Sequence, residues 1–385
     1  MTTPAAIHTT PAQIHLMLVS EQAAPNLLPA LDPAMKPREA VLLVSQKMAH
    51  RAQALQAVLK ESGIKTQIVP LPDEHNMAAL ESILMDVATQ RDGQSLALNV
   101  TGGNKLMALA AQAVAQAAGW PAFYVDVDTD QIIWLDKTRP AQALTQQLRL
   151  RHYLRGYGFT LAEGIERPQP NAAWQTLLQD LIINVGSLEE AIGQLNHLSQ
   201  EAQRRLRVTL SPRQRDHHGL DALLRKFEQA QVLKRQGDTL VFATEAALSF
   251  ANGGWIEHHV YQSVSQVTGD LAIRDKAANL QVLGDNGQPN EIDVAFMARN
   301  RLFMVECKTA RMNHEGDLKA IDTLYKLAEN CRRIGGLGTR GMLATYRPLR
   351  ESEQRLAKAL NIEVVAGRDL NRLGERIKQW VKPKA

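Results

Sequence analysis

Residues 291–308 read Glu-Ile-Asp-Val-Ala-Phe-Met-Ala-Arg-Asn-Arg-Leu-Phe-Met-Val-Glu-Cys-Lys. Two apolar runs, Glu291–Phe296 and Leu302–Lys308, flank the short turn Ala298–Arg301 and predict the two strands of a hairpin. Side chains alternate faces along a strand, so Glu306 and Lys308 share one face while Met304 continues that face into a core. The partner strand brings Asp293 alongside. Two carboxylates and one ammonium then meet at the rim of a sheet. Cys307 turns to the opposite face and reads as a buried packing residue.

These residue types suit phosphodiester hydrolysis, which needs an activated water and stabilisation of charge on phosphorus. Asp293 and Glu306, with the backbone carbonyl of Cys307 as a third ligand, offer hard oxygens to Mg²⁺ or Mn²⁺. Such a cation polarises a phosphate and lowers the pKa of its bound water. Lys308 would orient the attacking water or stabilise the developing charge. Upstream, Gly253-Gly254 precedes Trp255–Tyr261, the start of an amphipathic helix that places Glu257 within reach of the metal or its water. The bland alternative for Glu306 and Lys308 is a surface charge pair on one strand. Lys326, in Leu324-Tyr325-Lys326-Leu327, reads as a helix lysine that either touches substrate phosphate or is simply solvated.

Toward the N-terminus, short apolar runs alternate with helical patterns. Strands are predicted at Ile14–Val19, Ala40–Val44, Thr66–Val69 and Ser95–Val100, with a closing pair at Ala122–Val125 and Gln131–Leu135. Helices fall between them, one ending at Ser62, one over Ala78–Gln90 and one over Leu106–Ala118. This alternation predicts a mainly parallel sheet covered on both faces, which binds ligands at the carboxyl ends of its strands. The turn Thr101-Gly102-Gly103-Asn104-Lys105 falls at that edge. Its glycines permit close backbone approach, and the helix it opens presents free N–H groups to a phosphate. Neither the Walker A spacing nor GxGxxG is present, which argues against a P-loop or a dinucleotide site. The Leu106–Ala118 helix is apolar nearly all round, so it is either a buried helix or a homodimer contact.

The middle of the chain is plainer. Arg167-Pro168-Gln169-Pro170 reads as a linker, Trp174–Leu195 as one helix, and Asp221–Gln231 as another. Val232–Leu240, turning at Gly237-Asp238, reads as a hairpin. Together they suggest a winged-helix-like element, which either binds DNA or spaces two domains. His217-His218 has no third ligand nearby and reads as a surface pair.

Charge supports a polyanionic substrate for the C-terminal part. Residues 1–150 hold 11 Lys and Arg against 13 Asp and Glu, whereas the remainder holds 33 against 27. Two cysteines exclude a disulfide scaffold or a cysteine-rich zinc module and point to a reducing cytoplasm. No run of about 18 apolar residues predicts a membrane span, and Met1–Gln13 lacks the pattern of a signal peptide.

Through Glu257, Asp293, Glu306 and Lys308, the C-terminal third resembles the PD-(D/E)xK nuclease superfamily. The N-terminal third resembles a CARF domain, the CRISPR-associated Rossmann-like sensor of cyclic oligoadenylate. The matching pieces are Leu18-Val19-Ser20-Glu21-Gln22 with Pro25-Asn26, the strand end Ser45-Gln46-Lys47, and Thr101-Gly102-Gly103-Asn104-Lys105. The order of motifs is similar to that of the two-domain CARF nucleases of type III CRISPR defence. The resemblance implies an α/β chain with a Rossmann-like CARF domain over 1–150, a linker with a winged-helix-like element over 151–250, and a restriction-endonuclease-like domain over 251–385. It implies a homodimer that binds cyclic tetra-adenylate through Ser20, Glu21, Gln22, Asn26, Ser45, Lys47 and Thr101–Lys105, and then cleaves single-stranded DNA or RNA, or nicks duplex DNA, with Mn²⁺ or Mg²⁺. One departure is Asn104, where the family turn commonly carries a second threonine. Two other readings stay open: a cyclic-oligoadenylate-responsive transcription regulator using the winged element, and a ring nuclease that degrades its own ligand at the Thr101–Lys105 turn.

Overall fold

A computed structural model describes residues 12–72, 75–162, 171–284, 287–309 and 319–382. The linker read at Arg167–Pro170 and the stretch Met1–Pro11 lie outside these residues. The chain divides into two compact units, one built mainly from residues 1–160 and the other mainly from the remainder.

The first unit is a seven-stranded sheet, β1 (Ile14–Leu18), β2 (Glu39–Val44), β3 (Lys65–Pro70), β4 (Leu96–Asn99), β5 (Ala122–Asp126), β6 (Gln131–Trp134) and β7 (Gln142–Ala143). Its order is β3-β2-β1-β4-β5-β6-β7, parallel from β3 to β5 and antiparallel beyond. The short β7 has no apolar run to announce it. The helices are α1 (Ala24–Leu31), α2 (Ala49–Glu61), α3 (Met77–Gln90), α4 (Lys105–Ala117) and α5 (Leu150–Gly156). Ile14, Leu16 and Leu18 pack with Leu80, Leu84, Met107 and Ala111 of α3 and α4. His15 and Met17 alternate to the other face, where His15 meets the edge of Phe123. Strand order reverses between β1 and β4, so the loops after these two strands border the crevice where such sheets take ligands.

The second unit carries a six-stranded mixed sheet in the order β16-β15-β14-β13-β12-β8. Its strands are β8 (Thr160–Leu161), β12 (Asp275–Leu283), β13 (Pro289–Ala298), β14 (Arg301–Lys308), β15 (Arg340–Thr345) and β16 (Ile362–Ala366). The β13–β14 hairpin forms as the sequence predicts. Arg299 and Asn300, at its tip, both adopt positive φ (51° and 54°), the geometry that matches the twist of a two-residue hairpin turn. Phe296 and Phe303 stack across the pair, their rings 4.9 Å apart, with Trp380 edge-on to both. Around the sheet lie α10 (Glu245–Ser249), α11 (Trp255–Gln266), α12 (Lys319–Gly335), α13 (Glu351–Ala359) and α14 (Leu373–Val381).

The single helix predicted over Trp174–Leu195 is two, α6 (Ala172–Ile183) and α7 (Glu189–Ala202). The break follows from local competition for the backbone. The Ser187 hydroxyl and the Ser187 and Leu188 N–H groups all turn back to the Asn184 carbonyl, and Gly186 packs closely on Arg368. A winged arrangement follows: α8 (Pro212–Arg215) and α9 (His218–Gln229) with a three-stranded sheet of β9 (Arg207–Thr209), β10 (Leu233–Gln236) and β11 (Thr239–Phe242). His217 is not a metal ligand in waiting. Its Nδ1 accepts the Leu220 N–H at 3.0 Å and caps α9. Helices α6, α7 and α9 share one continuous apolar core with the six-stranded sheet, through Leu181, Leu195, Phe227, Phe250 and Trp255.

Candidate nuclease centre and sensor crevice

The nuclease residues gather where β13 and β14 end. The pair farthest from the hairpin tip is Val294 opposite Val305, so the next residues outward are Asp293 and Glu306. Asp293 Oδ2 accepts the Cys307 N–H at 2.6 Å, which fixes the carboxylate against the neighbouring strand. Lys308 Nζ stands 2.6 Å from Glu306 Oε1, as expected for side chains two apart on one strand. Cys307 is buried on the other face, and burial raises its thiol far above the ordinary range, consistent with a packing role.

Glu257 enters from the first turn of α11. Its carboxyl is pushed up to about 8, by burial first, then by Asp293 and Glu291, with Lys308 opposing and Glu306 adding. Burial and then Glu306 likewise hold Asp293 well above the usual carboxylate range. Burial works against the charge on Lys308, but Glu306 and Asp293 outweigh it and keep the ammonium protonated. Several carboxylates thus face one another with a single lysine acting on them. Sequence reasoning did not single out Glu291 as part of this cluster. The signal was available, because Glu291 is two residues from Asp293 and so on its face of β13.

Among the described residues, no three His, Cys, Asp or Glu side chains stand close enough to form a ready-made cage for a cation. The donor chemistry still fits one. Asp293 and Glu306 supply hard oxygens, their mutual repulsion is what a divalent ion would relieve, and one Glu306 oxygen is now held by Lys308.

In the first unit, the Thr101–Lys105 turn lies at the switch point. Gly102 is required there, since a Cβ would come within 1.9 Å of the Leu18 carbonyl oxygen; Gly103 follows with φ +68°. The Thr101 hydroxyl donates to Asn99 Oδ1 at 2.7 Å and accepts the Val125 N–H at 2.7 Å. Asn104 Oδ1 accepts the Met107 N–H at 2.9 Å and caps α4. Lys105 and Lys47 are exposed. Asn26 is buried, its amide donating to the Leu18 carbonyl while its oxygen accepts from Asn99. It braces the crevice from beneath, as does buried Asn99, which sequence reasoning passed over as an ordinary strand residue. Ser45 is also buried. Ser20 closes a tight turn with the Gln22 N–H, Glu21 pairs with Arg51, and Gln22 Oε1 accepts from Tyr157 and from the Leu337 N–H.

Residues 14–153 match the family described as the Card1 CARF domain, and residues 244–384 the one described as the Card1-like endonuclease domain. The chain carries a Card1-type CARF domain and a Card1-like endonuclease domain. The crystal structure of protein VC1899 from Vibrio cholerae is similar over 96% of this chain and 97% of that one, with TM-score 0.87 and 28% identity. Can2 from Sulfobacillus thermosulfidooxidans, solved with cyclic tetra-adenylate, is similar over 96% and 99%, with TM-score 0.82 and 24% identity. A type III CRISPR defence DNA nuclease activated by cyclic oligoadenylate gives TM-score 0.57 at 20% identity, covering 92% of this chain and 48% of that one. The last two show a shared fold. None of the curated proteins matches the chain. In this CARF endonuclease, the endonuclease match takes in Glu257, Asp293, Glu306 and Lys308, and the CARF match takes in the Thr101–Lys105 turn.

Proposed function

We propose that this CARF endonuclease is a metal-dependent nuclease of type III CRISPR defence, switched on by cyclic tetra-adenylate and acting on single-stranded DNA or RNA. The observation that carries the reading is the convergence of Asp293, Glu306 and Glu257 around Lys308 at the end of one hairpin. Asp293, Glu306 and the Cys307 carbonyl would hold Mn²⁺ or Mg²⁺, which supplies Lewis acidity and a water of lowered pKa when bound. Lys308 places its ammonium against the attacked phosphate or the attacking water. Glu257, whose carboxyl tends to keep its proton, can bind that water or give a proton to the departing oxygen.

The activator would bind along a two-fold axis, each protomer presenting the Thr101–Lys105 turn with Lys105, Lys47, Ser20, Glu21 and Gln22, over the frame made by Asn26 and Ser45. Support for a homodimer comes from exposed apolar side chains of the same unit. Leu109 on α4 is 61% exposed, and Tyr124, Ile133 and Leu135 line one face of the β5–β6 ribbon. The reading divides the chain into a sensor over 1–150, a winged-helix-bearing region over 151–250 and a nuclease over 251–385. A cytoplasmic setting accords with two buried free thiols. No helix among the described residues is long and apolar enough to cross a membrane.

The test is cleavage of labelled single-stranded DNA and RNA with Mn²⁺, with and without cyclic tetra-adenylate, for wild type and Glu306→Ala. Cleavage that needs ligand, metal and Glu306 supports the reading, with Glu306→Ala lowering the rate by at least ~100-fold. Equal cleavage by Glu306→Ala would falsify it.

A further inference from the structure

Lys308 is the last residue of β14 with a strand partner, Thr345. The next carbonyl, that of Thr309, has left the ladder and needs a donor from elsewhere. A helix from the middle of the chain supplies it. Asn196, on α7, donates its Nδ2 to the Thr309 oxygen at 2.9 Å. Thr309 in turn donates its hydroxyl to the Asn252 carbonyl at 3.3 Å. Asn252 belongs to a kinked turn, Phe250–Gly254, broken by the non-helical Gly253, that leads directly into α11 and so into Glu257. The neighbouring Gly253 has φ +115°, and a Cβ on it would stand 2.0 Å from Thr309 Oγ1. Glycine is therefore needed twice over, for its backbone angle and for the closeness of Thr309.

Thr309 thus fastens the strand that bears Glu306 and Lys308 to the helix that bears Glu257, and Asn196 fastens Thr309. Asn196 is only 6% exposed, and its Oδ1 has no hydrogen-bond partner among the described residues. An aliphatic residue on this helix, whose neighbours Ile192, Leu195 and Leu198 are core, would bury no orphaned amide oxygen, but it would leave the Thr309 carbonyl without this donor. Packing alone does not explain an amide here, whereas the Thr309 carbonyl does.

We propose that Asn196 is a positioning residue of the nuclease centre, acting through Thr309 to set the spacing between the Glu306–Lys308 strand end and Glu257. The inference rests on the metal-dependent nuclease reading of that centre. It assigns the middle of the chain a part in the chemistry, since α7 packs in the same core as the nuclease sheet. The hydrogen bonds that orient metal-binding side chains commonly matter by 10- to 100-fold in metal affinity or rate.

The full-length protein provides the test, with Mn²⁺ binding followed by the paramagnetic resonance signal of the free ion, so that no substrate is needed. Asn196→Leu keeps the number and branching of the side-chain heavy atoms and removes the donor. Thr309→Val keeps the shape and removes the hydroxyl, while Thr309→Ser restores it. Asn196→Leu and Thr309→Val are expected to weaken Mn²⁺ binding about tenfold or more, and Thr309→Ser to bind as wild type does. In activated cleavage the same two variants should lower kcat with KM within about twofold. Wild-type Mn²⁺ affinity and kcat in Asn196→Leu would overturn the inference and leave the nuclease reading intact. Wild-type Mn²⁺ affinity in Glu306→Ala would remove the nuclease reading, and the inference with it. A loss in Asn196→Leu that tracks a lower melting temperature, with Thr309→Ser failing to rescue, would mark a merely structural contact and also overturn it.

Discussion

Replacing His15 with leucine should abolish a pH dependence of stability that resides in one side chain. His15 lies in β1, between β2 and β4, and is fully buried. Neither ring nitrogen has a hydrogen-bond partner among the described residues, and the imidazole packs on the edge of Phe123. Burial lowers its pKa from 6.5 to about 4. Above pH 6.5 both folded and unfolded chains hold it neutral. As pH falls from 6.5 toward about 4, the unfolded chain takes a proton that the folded one refuses, so stability declines across that window. At ~1.4 kcal/mol per pH unit the whole loss is roughly 3 kcal/mol, of which about 2 kcal/mol is spent by pH 5. Amide hydrogen exchange of peptides covering β1, β2 and β4 reads this unit separately from the other, once corrected for intrinsic rates. Between pH 7.5 and 5.0, wild-type protection should drop by about 2 kcal/mol more than that of His15→Leu, close to a 30-fold difference in exchange. Parallel pH profiles for the two proteins would refute the reasoning, because they would mean that the imidazole reaches a proton partner in the folded state.

Two further outcomes test the first unit as a ligand sensor. Gly102→Ala places a Cβ within 1.9 Å of the Leu18 carbonyl oxygen, so the β1 and β4 loops must separate. Calorimetric titration should show at least ~10-fold weaker binding of cyclic tetra-adenylate, and unchanged affinity would dissociate the turn from ligand binding. Tyr124→Asp puts a charge on the exposed apolar face of the β5–β6 ribbon. Light scattering after size exclusion should report a shift from dimer toward monomer, and a mass unaltered by the change would direct the interface elsewhere.

Much of the nuclease centre was legible in one dimension because a strand has period two. That period alone puts Glu306 beside Lys308 and Cys307 behind them, and the hairpin brings Asp293 across, although its turn is the two residues Arg299 and Asn300 rather than Ala298–Arg301. The Thr101–Lys105 turn was legible for a related reason: a strand run followed by two glycines and an apolar helix is a local pattern. Local rules failed at Trp174–Leu195, where apolar periodicity runs through a break that Asn184 and Ser187 create by hydrogen-bonding their own backbone. They were also silent on function within the framework. Asn26 and Thr101 read as ligand contacts by motif, yet both are tied into one hydrogen-bonded brace with Asn99.

The sequence by itself determined what nearest neighbours along the chain can determine: element type, the faces that carry charge, and the residue chemistry available to a phosphodiester. Tertiary structure decided the rest, since the remaining partners are far apart in the chain. The strand order that makes a crevice between β1 and β4, the burial that strips His15 of a proton, and the reach of Asn196 across 113 residues to Thr309 all arise only when distant segments share a core. No periodicity encodes them, because each depends on which solvent-excluded neighbour a side chain meets.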